Sequence, residues 1–436
     1  MARVLLVDRY FWPDTNTNAV LLRAISARWA AEGHEVVVLT AQPGYNRQGQ
    51  VGKRPRQEHL DGFRIRRVRL LPESKKNMLA RSLNLLLFML ATLRHLMFGA
   101  RYQVVLAGTT PPVFLAWAVR IGARFRGSSL LYHNQDIHPE AAIAGGMMRP
   151  GLITRWMSYL DRRTTARCTR VIVLSEDMVA THRQRGLNPA RLRIINNCQL
   201  PSFQNERQQA PTETEESQAA IWQEEGKGSF RILFVGNLGR FQALEVLLAA
   251  AHRLRDRGDI RFEFVGEGVM RPALERQAGD LLGKTVFFRG YHPHATAMEA
   301  LESADVAVVS LAPEVILSAY PSKVMTYLQV GFPLLLLMEP ESELARMVAD
   351  HELGEVCGEW TGEALASAVL RLEARFRSAE EPARQALVAR ARSLGDERFS
   401  LDRTLDCWSQ LLAEVLAEQS PRQDSSASPL STRGAT

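Results

Sequence analysis

Ile232-Leu233-Phe234-Val235-Gly236-Asn237-Leu238-Gly239-Arg240 is the stretch that decides how the chain folds. Its first four residues are an unbroken apolar run, the mark of a strand buried on both faces of a parallel sheet. Leu244 to Ala251, with Leu254 beyond, then spaces its apolar residues as a helix does. Strand, glycine turn and helix in that order bring backbone N–H groups and a helix N-terminus up to a phosphate. Gly236 and Gly239 let the backbone approach closely, and Arg240 adds a fixed positive charge. An ordinary strand-to-helix turn has the same outline, so the surrounding chain must decide between them.

Outward from this turn the second half alternates strands and helices. Ile232–Val235, Arg261–Val265, Val286–Arg289, Val306–Val309 and Leu334–Leu337 read as strands, and Leu365–Phe376, Ala386–Ser393 and Leu401–Glu418 as helices. The first half does the same. Its strands are Val4–Val7, Val36–Leu39, Phe63–Val68, Val104–Ala107, Ser129–His133, Val171–Leu174 and Leu192–Ile195. Helix Ala19–Ala31 stops at Glu32-Gly33, with Gly33 in the C-cap role. Residues 202–228 are rich in Gln, Glu and Thr and read as a linker or surface insertion, and 419–436 as a disordered Ser-rich tail. The expected class is α/β: two Rossmann-like domains facing a cleft, 1–201 and 229–397, with helix 398–418 returning to the first.

With 436 residues, 46% of them hydrophobic, the chain has ample material for two cores. Cys168, Cys198, Cys357 and Cys407 have no paired spacing, which argues for reduced thiols in a cytosolic compartment and against a zinc site. Asp8 and Arg9 interrupt the first apolar run at once, so it reads as a strand and not a signal peptide. The net charge is +7. Between Arg47 and Lys76 ten Lys/Arg face only Glu58, Asp61 and Glu73, a surplus equal to the whole chain's. Leu79, Leu83, Leu86, Leu87, Leu90, Leu93 and Met97 follow on one helical stripe. The uncharged span is too short to cross a bilayer. A core helix would explain the stripe alone. A helix lying in an anionic membrane interface explains the stripe and the basic segment together. Nucleic acid would explain the charge and leave the apolar helix unaccounted for, so no nucleic-acid partner is expected.

Several short blocks then add up: Glu32-Gly33-His34-Glu35-Val36, Val173-Leu174-Ser175, Ile194-Ile195-Asn196-Asn197, Gly236-Asn237-Leu238-Gly239, Gly266-Glu267-Gly268, Gly290-Tyr291, Ala304-Asp305-Val306 and Pro321-Ser322-Lys323. In order and spacing the chain resembles the bacterial family 4 glycosyltransferases of GT-B architecture over roughly residues 2–418. It looks most like those of O-antigen and colanic-acid assembly, which share the Gly-Asn-Leu-Gly turn, the Pro-Ser-Lys block and the Asp136-to-Glu140 segment. The resemblance implies transfer of a sugar, with retention of configuration, from a nucleotide donor (UDP-linked) to a lipid-linked or polysaccharide acceptor. It implies no cofactor and no metal, the nucleotide sugar being a substrate. It places the enzyme in the cytoplasm, peripheral on the inner face of the plasma membrane. Where many members carry Arg and Lys after the first phosphate-turn glycine, this chain has Asn237 and Gln242. The usual glutamate pair falls at Ser318 and Thr326.

The candidate site follows from strand ends and resemblance together. Asp136, His138 and Glu140 are the catalytic candidates. Gly236, Asn237, Gly239, Arg240, Lys323, Tyr291 and Thr326 are the donor and phosphate candidates, and Asn16, Thr17 and His133 line the acceptor or donor loops. A lysine in a helix's first turn opposes the helix dipole, so Lys323 calls for an anion nearby. Tyr291 either flanks the base or packs in the core. Two other functions fit the same architecture: a non-hydrolysing sugar-nucleotide epimerase, and a non-catalytic membrane-associated scaffold.

Overall fold

Both alternating runs fold into parallel sheets with helices on their faces. The protein is seen in a computed structural model that describes residues 1–14, 16–44, 53–71, 78–199, 228–292 and 304–419. Thr15, the ends of the basic segment (Arg47, Glu73, Lys75, Lys76), nearly all of the 202–228 linker and the tail beyond Gln419 lie outside the described residues.

The first sheet contains β1 (Arg3–Val7), β2 (Glu35–Ala41), β3 (Gln57–Leu60), β4 (Phe63–Val68), β5 (Val104–Ala107), β6 (Ser129–His133), β7 (Arg170–Val173) and β8 (Leu192–Ile194). Its order is β3-β4-β2-β1-β5-β6-β7-β8, and only the β3–β4 pair is antiparallel. The second sheet contains β9 (Phe230–Val235), β10 (Ile260–Val265), β11 (Val286–Gly290), β12 (Val306–Ser310), β13 (Leu334–Leu337) and β14 (Gly354–Cys357), all parallel, in the order β11-β10-β9-β12-β13-β14. In each sheet the first strand of its half sits centrally and the order reverses beside it. In open α/β sheets that reversal is where ligands bind, beyond the strands' C-terminal ends.

The final helix, Leu401–Ala417, packs on helix Thr17–Ala31 of the first half, with the Trp408 and Trp29 rings edge to face at 6.2 Å. Both rings are fully buried, so the chain's end is stitched into the first domain by one of its largest apolar contacts.

Helix Met78–Phe98 buries a narrower face than its leucine stripe. Asn84, Phe88, Thr92 and Leu96 point inward, four residues apart, against helix Phe114–Arg126. Gly122 permits the approach, since a Cβ there would lie 2.6 Å from the Leu96 Cβ. Leu83, Leu86 and Leu90 are left 44%, 45% and 49% exposed. Among the described residues no helix is long and apolar enough to cross a membrane.

Candidate functional site

The loops after β1, β5 and β6 of the first half meet the Tyr320–Ser322 loop of the second around a cavity of about 530 Å³. Its wall includes Asp8, Asn16, Thr17, Asn18, Thr109, Gln135, Asp136, His138, Asn197, Tyr320 and Ser322. The halves touch here. Asp136 bridges to Ala319, and the Ile137 N–H donates to the Ser318 carbonyl at 2.7 Å. Nearby, the Phe241 ring lies so close to Gly145 that a Cβ there would meet it at 2.2 Å.

Asp136 stands at the end of β6 and accepts no hydrogen bond on its carboxylate among the described residues. Burial raises it to about 6. It is therefore ionised near neutral pH, with its acceptor capacity open to a ligand. His138 shares the wall and is lowered to about 4, chiefly by burial, so it is a neutral imidazole. Glu140 is engaged elsewhere: it pairs with Arg185, which also binds Asp161 at 2.7 Å and the His138 carbonyl at 3.2 Å. That cluster fixes the loop carrying Asp136. His133 lies beneath the cavity wall. It is fully buried, edge-on to Trp408 at 5.0 Å, and contacts the Gln135 amide at 2.7 Å. Gln135 also exchanges hydrogen bonds of 2.9 Å with Asn197, so His133 acts on the cavity through Gln135.

Asn16 caps helix Thr17–Ala31, accepting from the Ala19 N–H at 2.8 Å. The positive end of that helix thus opens on the cavity. Asp8, which sequence reasoning used only to dismiss a signal peptide, lines the cavity too. It accepts from the Tyr10 N–H at 2.9 Å and from Asn18 at 3.2 Å, and burial raises it to about 7. The available signal was a lone carboxylate closing an apolar strand. Asn197 stood in the Ile194-to-Asn197 block without a role, and Gln135 and Tyr320 had no comparable signal, because polar residues in a loop are ordinary until the fold brings them together.

The donor side is built on Gly236, whose φ of +136° suits glycine. A Cβ on Gly266 would lie 1.9 Å from the Gly236 carbonyl oxygen, and one on Gly268 would lie 2.2 Å from that of Leu238. The two glycine loops therefore stack backbone on backbone. Tyr327 braces the turn, its hydroxyl accepting from the Val235 N–H at 3.1 Å and donating to the Val235 carbonyl at 3.3 Å. Lys323 begins helix Lys323–Val330. Its ammonium lies 3.5 Å from the centroid of the Phe234 ring, and a Cβ on Gly236 would be 3.6 Å from it. The Nζ is buried and has no hydrogen-bond partner among the described residues, and desolvation lowers it to about 7. Among the described residues the Phe234 ring face compensates the charge.

Asn237 and Arg240 are exposed on the same turn, and among the described residues Arg240 has no carboxylate partner. Tyr291, at the end of β11, is 60% exposed. Thr326 is half-buried one turn after Lys323. Ser318 is buried, its hydroxyl donating to the Val315 carbonyl, and Glu314 is exposed with a φ of +64°.

The comparisons with known proteins fit this geometry. The glycosyl transferase 4-like domain matches residues 19–198, and the glycosyl transferases group 1 domain matches residues 229–375. The probable glycosyltransferase WbjE of Pseudomonas aeruginosa is 25% identical over 362 residues, spanning 82% of this chain and 86% of that protein. The putative colanic acid biosynthesis glycosyl transferase WcaI of Escherichia coli K12 is 26% identical over 344 residues, 76% of this chain and 82% of that one. Among solved structures, Anabaena HepE in complex with UDP superposes with a TM-score of 0.66 at 14% identity, covering 94% of this chain and all of that one. Two parallel α/β domains, the cleft between their strand ends and the two matched domains in this order have one consequence: the chain belongs to the GT-B glycosyltransferases, with a 4-like domain followed by a group 1 domain.

Proposed function

We propose that the protein transfers a sugar from a UDP-linked donor to a lipid-linked or polysaccharide acceptor, with retention of configuration and without a metal, in the assembly of a cell-surface glycan. The observation that carries this reading is the Lys323 ammonium, buried beside Gly236 with no hydrogen-bond partner among the described residues. When the donor's glycosidic bond breaks, negative charge develops on the β-phosphate. A cation and a helix N-terminus fixed at that place stabilise the transition state more than the ground state. Arg240 adds a second charge from the turn, and Asn237, Tyr291 and Thr326 are assigned to the rest of the nucleotide. Asp136 accepts a hydrogen bond from the reacting sugar or the acceptor hydroxyl, beside neutral His138. The name of WcaI, a putative colanic acid biosynthesis glycosyl transferase, supports a surface-glycan acceptor, and HepE's complex with UDP supports the nucleotide.

The same reading places the protein in the cytoplasm, peripheral on the inner membrane face. The exposed leucines of helix Met78–Phe98 would enter the interface and the basic segment would meet anionic lipid. A thermal-shift screen of nucleotides and nucleotide sugars tests the donor. A ligand at 100 times its Kd stabilises the native state by about 2.7 kcal/mol. A shift with UDP and UDP-sugars supports the assignment, and no shift with any nucleotide overturns it.

A further inference from the structure

At the other end of the first sheet from the cleft lies a cavity of about 700 Å³, a volume suited to a small-molecule ligand. Tyr102 and Gln103, before β5, and Ser128 and Ser129, at the start of β6, form its floor, whereas the cleft residues Thr109 and Asp136 follow the far ends of the same strands. The length of β6 separates the two by about 15 Å. Among the described residues six arginines line this second cavity, Arg101, Arg120, Arg124, Arg126, Arg167 and Arg191, and no Asp or Glu does.

Arginines at helix C-termini have an ordinary explanation, and three helices do end here: Met78–Phe98, Phe114–Arg126 and Leu152–Thr165. Each end carries about −0.5 charge, so together they offset roughly a quarter of six positive charges. Among the described residues none of the six arginines forms an ion pair. Nearby arginines on the last helix's side do find carboxylates: Arg170 pairs with Glu418, and Arg193 with Glu414. Three of the six are held in place by carbonyls instead. Arg126 donates to Gly99 at 2.7 Å, Arg167 to Arg163, and Arg191 to Cys168. The Nε groups of Arg120 and Arg126 are buried without an acceptor. Arg120 is also lowered from its ordinary value, by burial and then by the charges of Arg167, Arg163 and Arg124.

We propose that this cavity is a second anion site that binds a phosphate-bearing ligand of at least two negative charges, separate from the donor site. Guanidinium groups match phosphate oxygens in bidentate geometry, and several forks converging from three helices suit a diphosphate better than a lone carboxylate. Phe98 and Phe125 stand 84% and 71% exposed at the two adjoining helix ends, giving the ligand's remaining part an apolar rim. The phosphate is either a lipid headgroup or a free phosphorylated metabolite.

The test is isothermal titration of inorganic diphosphate into the full chain carrying Lys323→Ala and Arg240→Ala, which removes both cations assigned to the donor phosphates in the cleft. Saturable binding is expected. Adding Arg124→Gln and Arg167→Gln, both at exposed positions, should weaken it at least tenfold with Tm unchanged, and Arg120→Gln should weaken it further. Unchanged affinity in the arginine variants overturns the proposal. So does loss of all diphosphate binding on Lys323→Ala and Arg240→Ala alone, which would leave the donor assignment intact. Phosphatidylcholine vesicles with and without phosphatidic acid identify the source. If the acidic vesicles bind through the same arginines and compete with diphosphate, the ligand is a lipid headgroup. If only soluble diphosphate binds, it is a free phosphate compound.

Discussion

Asp177 and Glu343 each accept a hydrogen bond from the first N–H of the other's helix across the domain boundary. The Glu343 N–H donates to the Asp177 carboxylate at 3.1 Å, and the Glu343 carboxylate accepts from the Glu176 N–H at 2.7 Å. Helices Glu176–Gln184 and Glu343–Asp350 thus meet at their N-termini, where two positive dipole ends would otherwise repel. Glu343→Ala leaves the Ser175 and Ser342 N-caps in place and removes one hydrogen bond to a carboxylate, worth about 1–2 kcal/mol, so it should destabilise modestly. It should also let the domains part, and small-angle scattering of the unliganded protein should show a larger radius of gyration. An unchanged radius would mean that the other contacts between the halves, such as Asp136–Ala319, Ile137–Ser318 and Phe241–Gly145, hold them together without the Glu343 carboxylate.

Asp136 yields a prediction with a sign. Its carboxyl is raised from 3.8 to about 6, so the folded state binds the proton more tightly than the unfolded one. The stability it contributes is complete below about pH 3.8 and is lost as pH rises through about 6. Asp136→Asn should therefore be more stable than wild type at pH 8, by on the order of 1–3 kcal/mol, with the gap closing near pH 4. The variant should keep its nucleotide affinity and lose turnover. Denaturant melts at the two pH values check the first half, and a Kd measured beside kcat checks the second.

Gly108 is fixed by Asp8. A Cβ at 108 would lie 1.8 Å from the Asp8 carboxylate oxygen. Gly108→Ala should displace Asp8 from Asn18 and Tyr10 and cost about 1–3 kcal/mol, the usual range for overpacking. A Tm equal to wild type would show that the β1 end yields without strain.

Leu83, Leu86 and Leu90 are exposed enough that Ser replacements should leave Tm nearly unchanged. The same triple variant should lose the salt-resistant part of binding to anionic vesicles, because apolar burial is not screened and charge attraction is. Wild-type protein that ignores anionic vesicles at low salt would remove the membrane from the account.

The sheets were legible in the sequence because their central strands are unbroken apolar runs, as in Ile232–Val235 and Leu334–Leu337. Two edge strands were not. β3 reads Gln57-Glu58-His59-Leu60 and β14 reads Gly354-Glu355-Val356-Cys357, and an edge strand with one open side needs no continuous apolar face. The inward face of helix Met78–Phe98 was hidden for a related reason. Asn84 buries itself by exchanging hydrogen bonds with the Leu71 backbone at 2.8 and 2.9 Å, so a polar residue lies inside while leucines lie outside. At the site, Lys323 announced itself by opposing a helix dipole. The engagement of Glu140 by Arg185 depends on a partner 45 residues away, which no local pattern reports.

Lys323 also supplies the most direct test of the central claim, that the Gly236 turn holds a donor's diphosphate. With its ammonium lowered to about 7, the side chain is mostly neutral at pH 8 in the unliganded protein. A diphosphate beside it favours the charged form, so binding must draw a proton from the buffer. Isothermal titration of UDP at pH 8, in buffers of different ionisation enthalpy, should show an uptake approaching one proton per site. Lys323→Met should abolish that uptake and weaken UDP by at least tenfold. UDP binding with no proton uptake, or undiminished in Lys323→Met, would contradict the account.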